Sequence, residues 1–134
     1  MTPVVLDTSA LLALRDDEPG ADRVADLLAE AASGRRLVLA CFMTEMALWY
    51  RVWRDEGEAA GRAAHAACRA LPIQWVQASP ALLARAVAVK AQHPLSLADA
   101  WIAATALEAD AVLVHKDPEF EGLPGLTEER LPYR

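Results

Sequence analysis

The chain has 134 residues, a length that fits one domain and leaves too little for two independent cores. It is 54% hydrophobic and 24% charged, the balance of a packed globule, and charges interrupt every apolar stretch before the ~18 residues a membrane helix needs. A net charge of −6 disfavours phosphate binding unless bound cations neutralise some of the acids.

In chain order, residues 3–6 (Pro-Val-Val-Leu) predict a buried strand stopped by Asp7. Helices are predicted at about 9–15 and 21–33; the second carries Val24, Leu27, Leu28 and Ala31 on one face, with Gly34 just past its end. Residues 37–40 (Leu-Val-Leu-Ala) give a second strand, and helices follow at about 43–55 and 58–70 with Gly57 between them. Residues 73–77 read as a third strand, and Pro80 opens a helix through about 91. Pro94 separates it from a helix at about 97–109, residues 111–114 (Ala-Val-Leu-Val) form a fourth strand, and a short last strand is expected near Leu126. Strands alternating with helices imply an α/β fold with a parallel sheet covered on both faces. Such sheets place their sites at the carboxyl ends of the strands, where strand order reverses.

Four acids are expected to converge at that edge. Asp7 ends the first strand, Glu45 opens the helix after the second, and Asp117 follows the fourth. Asp99 lies in the first turn of the helix before the fourth strand, and its placement is less direct because Pro94, not a strand, precedes that helix. Clustered carboxylates repel and stay partly protonated without a cation. An oxygen-only ligand set suits Mg²⁺ or Mn²⁺, which activates water and neutralises charge on a phosphate. Each acid also has a plainer reading. Asp7 is a helix cap within Asp-Thr-Ser, Asp99 the third helical residue of a capping box opened by Ser96, and Asp117 a turn residue before Pro118. Glu45, among Phe42, Met43, Met46, Trp49 and Tyr50, is the hardest to explain away.

These segments resemble the PIN-domain pattern, specifically its VapC-type toxins. VVLDTSALLAL (4–14) resembles the opening strand and first acid, FMTEMALW (42–49) the second motif, and LSLADAWIAATALEADAVLVHKDPEF (95–120) the third and fourth together. The resemblance runs nearly the full chain and implies one PIN-like domain over 1–134, a three-layer fold whose central parallel sheet has about 4–5 strands flanked by helices. It further implies Mg²⁺- or Mn²⁺-dependent cleavage of RNA by Asp7, Glu45, Asp99 and Asp117, frequent homodimers, and inhibition by a cognate antitoxin. Many family members carry Thr or Ser two residues before the fourth acid, where this chain has His115. A hydroxyl role in positioning water then falls to Thr8 or Ser9, with His115 open to phosphate contact or to a structural role. Glu119 is either an additional ligand or a solvated loop acid. The number of ions stays open.

Trp49, Tyr50 and Trp53 make one helix apolar over a broad arc, for core packing or for a subunit or antitoxin surface. The arginines group at Arg35/Arg36 and Arg51/Arg54, the latter pair placed to hold RNA or simply solvated. His65 and His93 suggest no special role. The opening residues carry no basic leader, and Cys41 and Cys68 lack metal-ligand spacing, so a cytoplasmic chain with reduced thiols is expected. The rival to a nuclease is a non-catalytic PIN-like module that binds RNA or protein, which has no need of a self-repelling acid cluster. Phosphoryl transfer through Asp7 lacks an acid at Ser9, and no G-x-G-x-x-G follows the first strand for a dinucleotide.

Overall fold

A computed structural model describes residues 1–133. Five strands alternate with six helices: β1 (Val4–Leu6), α1 (Thr8–Arg15), α2 (Ala21–Ala32), β2 (Val38–Cys41), α3 (Phe42–Glu56), α4 (Glu58–Arg69), β3 (Gln74–Val76), α5 (Pro80–Gln92), α6 (Leu97–Glu108), β4 (Val112–His115) and β5 (Glu128–Arg130). A single 3₁₀ turn, Pro118–Phe120, follows β4. The sheet order is β3-β2-β1-β4-β5 and every pairing is parallel. The chain therefore steps outward from β1 through β2 to β3, then returns to the other side of β1 for β4 and β5. Strand order reverses between β1 and β4, and the carboxyl ends of those two strands define the expected crevice.

The strand residues sort by parity, as a pleated sheet demands. Val4 and Leu6 face α1, α2 and the packed faces of α3 and α4, meeting Leu11, Val24, Leu48 and Cys68. Val5 points to the opposite layer with Leu39 and Leu113, against Val89 of α5 and Ile102 and Ala103 of α6. Both faces of β1 are covered, which is why its sequence is apolar without alternation. Alanine dominates the buried positions of α6, at residues 100, 103, 104 and 106, leaving the helix little side-chain bulk between its axis and the sheet.

Local signals set most boundaries. Ser79 accepts from the Leu82 amide and precedes Pro80, while Ser96 accepts from the Asp99 amide. Gly34 has φ +77° and lets the Arg35 amide return to the Glu30 carbonyl at 2.9 Å, closing α2. Two expectations shift. The fourth strand extends to His115, which turns that residue from a neighbour of the strand into its fully buried last member. The last strand forms at Glu128–Arg130, beyond Leu126, because its partner β4 runs to His115, opposite Arg130.

Candidate active site

Asp7 is the residue at which β1 becomes α1. Its amide donates to the Val114 carbonyl at 3.0 Å, continuing the β1–β4 pairing, and its side chain caps α1. Oδ2 accepts from the Ser9 amide at 3.1 Å and from the Ser9 hydroxyl. Oδ1 is buried and has no hydrogen-bond partner among the described residues. Burial raises the Asp7 pKa; the Ser9 hydrogen bonds oppose that rise and the charge of Asp117 adds to it.

Asp99 uses its backbone and side chain separately. The amide donates to Ser96 Oγ at 3.1 Å as a cap requires, leaving the carboxyl free to face other acids. Burial pushes its pKa up to about 7, helped in turn by the charge of Asp7, a hydrogen bond to Glu119, and the charges of Asp117 and Glu119. Asp117 begins the 3₁₀ turn, and its Oδ1 accepts from the Glu119 amide at 3.0 Å. That turn swings Glu119 back toward α6. Asp99, Asp117 and Glu119 each offer an oxygen, and these atoms lie within 4.8 Å of one another.

The structure thus gathers three carboxylates into contact and sets Asp7 close enough to act on the charges of Asp99 and Asp117. Glu45 is placed differently. It is half-buried in the first turn of α3, with Oε1 2.9 Å from His65 Nε2 and 3.6 Å from Arg69 Nη1, both on α4. The His65 ring stacks on Trp49 at 4.2 Å between centroids. Glu45 stands outside the three-carboxylate group, and His65 is a partner that the sequence did not suggest.

The three residues considered for positioning water or substrate also separate. The Ser9 hydroxyl is fully engaged, donating to Asp7 Oδ2 and accepting from the Lys116 amide at 2.9 Å. His115 has both ring nitrogens occupied: the Asp117 amide donates to Nδ1 at 3.0 Å, and Nε2 lies 3.1 Å from Glu128 Oε1. Thr8 alone keeps a buried hydroxyl with no partner among the described residues. Lys116, between two of these contacts, directs its ammonium away to Glu18 at 3.2 Å and the Pro19 carbonyl at 3.0 Å.

An orphaned buried carboxylate oxygen beside three mutually close carboxylates is a donor set for a hard divalent cation. Without one, burial first and the charges of Asp7, Asp117 and Glu119 second favour a proton on Asp99.

In fold, the chain is similar to solved toxin–antitoxin structures. It matches a chain of the DNA-bound VapBC2 of Rickettsia felis with a TM-score of 0.77 and 14% identity, covering 96% of this chain and 98% of that one. For the DNA-bound VapBC of Salmonella typhimurium the TM-score is 0.77, with 19% identity over 97% and 98% of the two chains. Mycobacterium tuberculosis VapC20, described as a sarcin–ricin loop cleaving toxin, gives 0.68 and 19% identity over 92% and 98%. No curated protein matches the sequence. The PIN domain family itself matches residues 4–126, from the first residue of β1 to the loop before β5, and the chain belongs to that family.

Proposed function

We propose that this protein is a Mg²⁺- or Mn²⁺-dependent endoribonuclease and the toxin of a toxin–antitoxin pair. The observation that carries the reading is the carboxylate group at the β1–β4 switch point, with Asp99 held at about 7 by burial and by its acidic neighbours. Asp7, Asp99 and Asp117 would hold the cation, with Glu119 as a further oxygen donor. A bound Mg²⁺ or Mn²⁺ supplies an activated water and neutralises charge on the phosphate under attack. The chain contributes the rest. Ser9 holds Asp7 in one rotamer, the Asp117 cap holds the turn carrying Glu119, and the Thr8 hydroxyl is free to orient a water or a phosphate oxygen. Glu45 belongs to the catalytic set by its family position, acting from its seat against His65 rather than from within the carboxylate group.

The fold relatives favour the same assignment, since two of them are VapBC complexes and a third is described as a sarcin–ricin loop cleaving toxin. The partner is then a cognate antitoxin. A basic segment of it could set an arginine against Asp7 and Asp99, because guanidinium pairs with carboxylates through two hydrogen bonds. Met46, Tyr50 and Trp53 are exposed along α3 and suit either that partner or a second subunit. Among the described residues no helix is long and apolar enough to cross a membrane.

The test is cleavage of RNA by purified protein free of antitoxin. Mg²⁺ or Mn²⁺ should support cleavage and EDTA should stop it. Asp7→Asn should abolish cleavage with an unchanged circular dichroism spectrum, since the amide keeps the shape and loses the charge. Full activity in EDTA, or in Asp7→Asn, would overturn the reading.

A further inference from the structure

His115 is fully buried at the last position of β4, two residues before Asp117, and its ring is tilted against Phe120 with 5.2 Å between centroids. The hydrogen bonds settle its tautomer. A backbone amide can only donate, so the Nδ1 that receives the Asp117 N–H is the unprotonated nitrogen. The proton sits on Nε2 and is donated to Glu128 of β5 at 3.1 Å. With both nitrogens engaged and no exposure, the ring is not available to a substrate.

The Nδ1 contact has a familiar equivalent. A Thr or Ser hydroxyl accepting from the amide two residues on forms the same closed turn. His115 reproduces that turn from a larger side chain, and the extra length carries a second hydrogen bond across to β5. The adjoining amide is secured in the same manner, because Lys116 N–H donates to Ser9 Oγ at 2.9 Å. Two successive amides between β4 and the 3₁₀ turn are thus bound by side chains, one from β1's end of the sheet and one from β4 itself. Asp117 then caps the turn that presents Glu119 to Asp99.

We propose that His115 is a positioning residue, its Nδ1 fixing the backbone of Asp117 and thereby the Asp117–Glu119 half of the carboxylate group. This rests on the cation-dependent reading above for its functional consequence, while the contact itself is measurable without any cation. The role belongs to Nδ1; the Nε2 bond to Glu128 steadies the ring.

Two isosteric substitutions separate the nitrogens. Asn places an amide oxygen near the site of Nδ1 and drops the reach to Glu128, whereas Gln places an N–H near Nε2 and drops the acceptor for Asp117. Thr restores the hydroxyl form of the turn. Amide hydrogen exchange of Asp117, Mn²⁺ affinity by calorimetry, and melting temperature are measured on wild type, His115→Asn, His115→Thr and His115→Gln. Asp117 N–H should stay protected in the Asn and Thr variants and become fast-exchanging in the Gln variant. Mn²⁺ affinity should fall about 10-fold or more with Gln and by less than about threefold with Asn and Thr. Melting temperature should not follow that order, because Gln retains the bond to β5 and Asn and Thr do not. Unchanged Asp117 protection in His115→Gln, or equal losses of affinity in all three variants, overturns the proposal. If wild type takes up no Mn²⁺, the cation reading fails, and the Asp117 exchange pattern still decides whether Nδ1 holds the turn.

Discussion

Glu45 Oε1 and His65 Nε2 meet at 2.9 Å between α3 and α4, and this contact divides the acids of the site into two kinds. Asp7, Asp99 and Asp117 act on one another's charge, whereas Glu45 is paired with a ring that stacks on Trp49 and has Arg69 3.6 Å away. A carboxylate already matched to cationic or donor groups gains less from a shared ion than one with an orphaned oxygen.

That division predicts different responses to amide substitution. Asp99→Asn should lower Mn²⁺ affinity by about 10-fold or more, because it removes a charge from the group itself. Glu45→Gln should reduce RNA cleavage while changing Mn²⁺ affinity by less than about threefold. Calorimetric titration of both variants beside a cleavage assay makes the comparison. An affinity loss in Glu45→Gln as large as in Asp99→Asn would place Glu45 among the ligands.

The Asp99 carboxyl gives the metal-free protein a pH dependence of definite sign. Unfolded it titrates near 3.8, and folded at about 7, so the folded state holds this proton more tightly. The resulting stabilisation is complete below about pH 4, declines as pH rises through that window, and is gone above about pH 7. Asp7 is displaced in the same direction by its burial. In EDTA, Asp99→Asn should therefore melt above wild type at pH 8, with the gap closing as pH falls toward 4. Saturating Mn²⁺ should raise wild type above the variant at pH 8, since only the native site binds it. Calorimetric scans across this range isolate the group by difference, and a variant less stable than wild type at pH 8 in EDTA would count against the assigned shift.

Much of the frame was legible because its signals are local. Val-Val-Leu stopped by Asp7, Ser79 before Pro80 and Ser96 three residues before Asp99 each write an element boundary into adjacent residues. Two of the capping acids carry both readings at once: Asp7 is both a cap and a buried acid, and the Asp99 amide takes the cap while its carboxyl joins Glu119. The rest depended on distance. β5 is Glu-Glu-Arg, with no apolar alternation to announce it, and is defined by pairing with β4 and by the Arg23–Glu129 bridge at 2.8 Å. His65 reaches Glu45 because α3 and α4 approach closely at Gly61, where an added Cβ would lie 2.9 Å from Trp53 Cβ. Nothing in the spacing of 45 and 65 encodes that approach. The sequence leaves His115 open to phosphate contact or to a structural role, and its two hydrogen bonds show both ring nitrogens engaged within the fold.

Ser9 offers the most direct test of how the first acid is held. Its hydroxyl is the single atom connecting Asp7 Oδ2 to the Lys116 amide, so it joins the acid of β1 to the segment that leads into Asp117. Ser9→Ala removes the acceptor for that amide and one of the hydrogen bonds that keep the Asp7 pKa from rising further. The Ser9 backbone N–H still caps through Asp7, so α1 should persist. The expected cost in stability is about 1–2 kcal/mol, from an amide left without its partner. The functional cost should depend on pH. With Asp7 protonated more readily, Mn²⁺ must displace a more tightly held proton, and affinity should fall further at pH 7 than at about pH 8.5. Calorimetric titrations at the two pH values distinguish this from simple misplacement of Asp7, which would lower affinity equally at both.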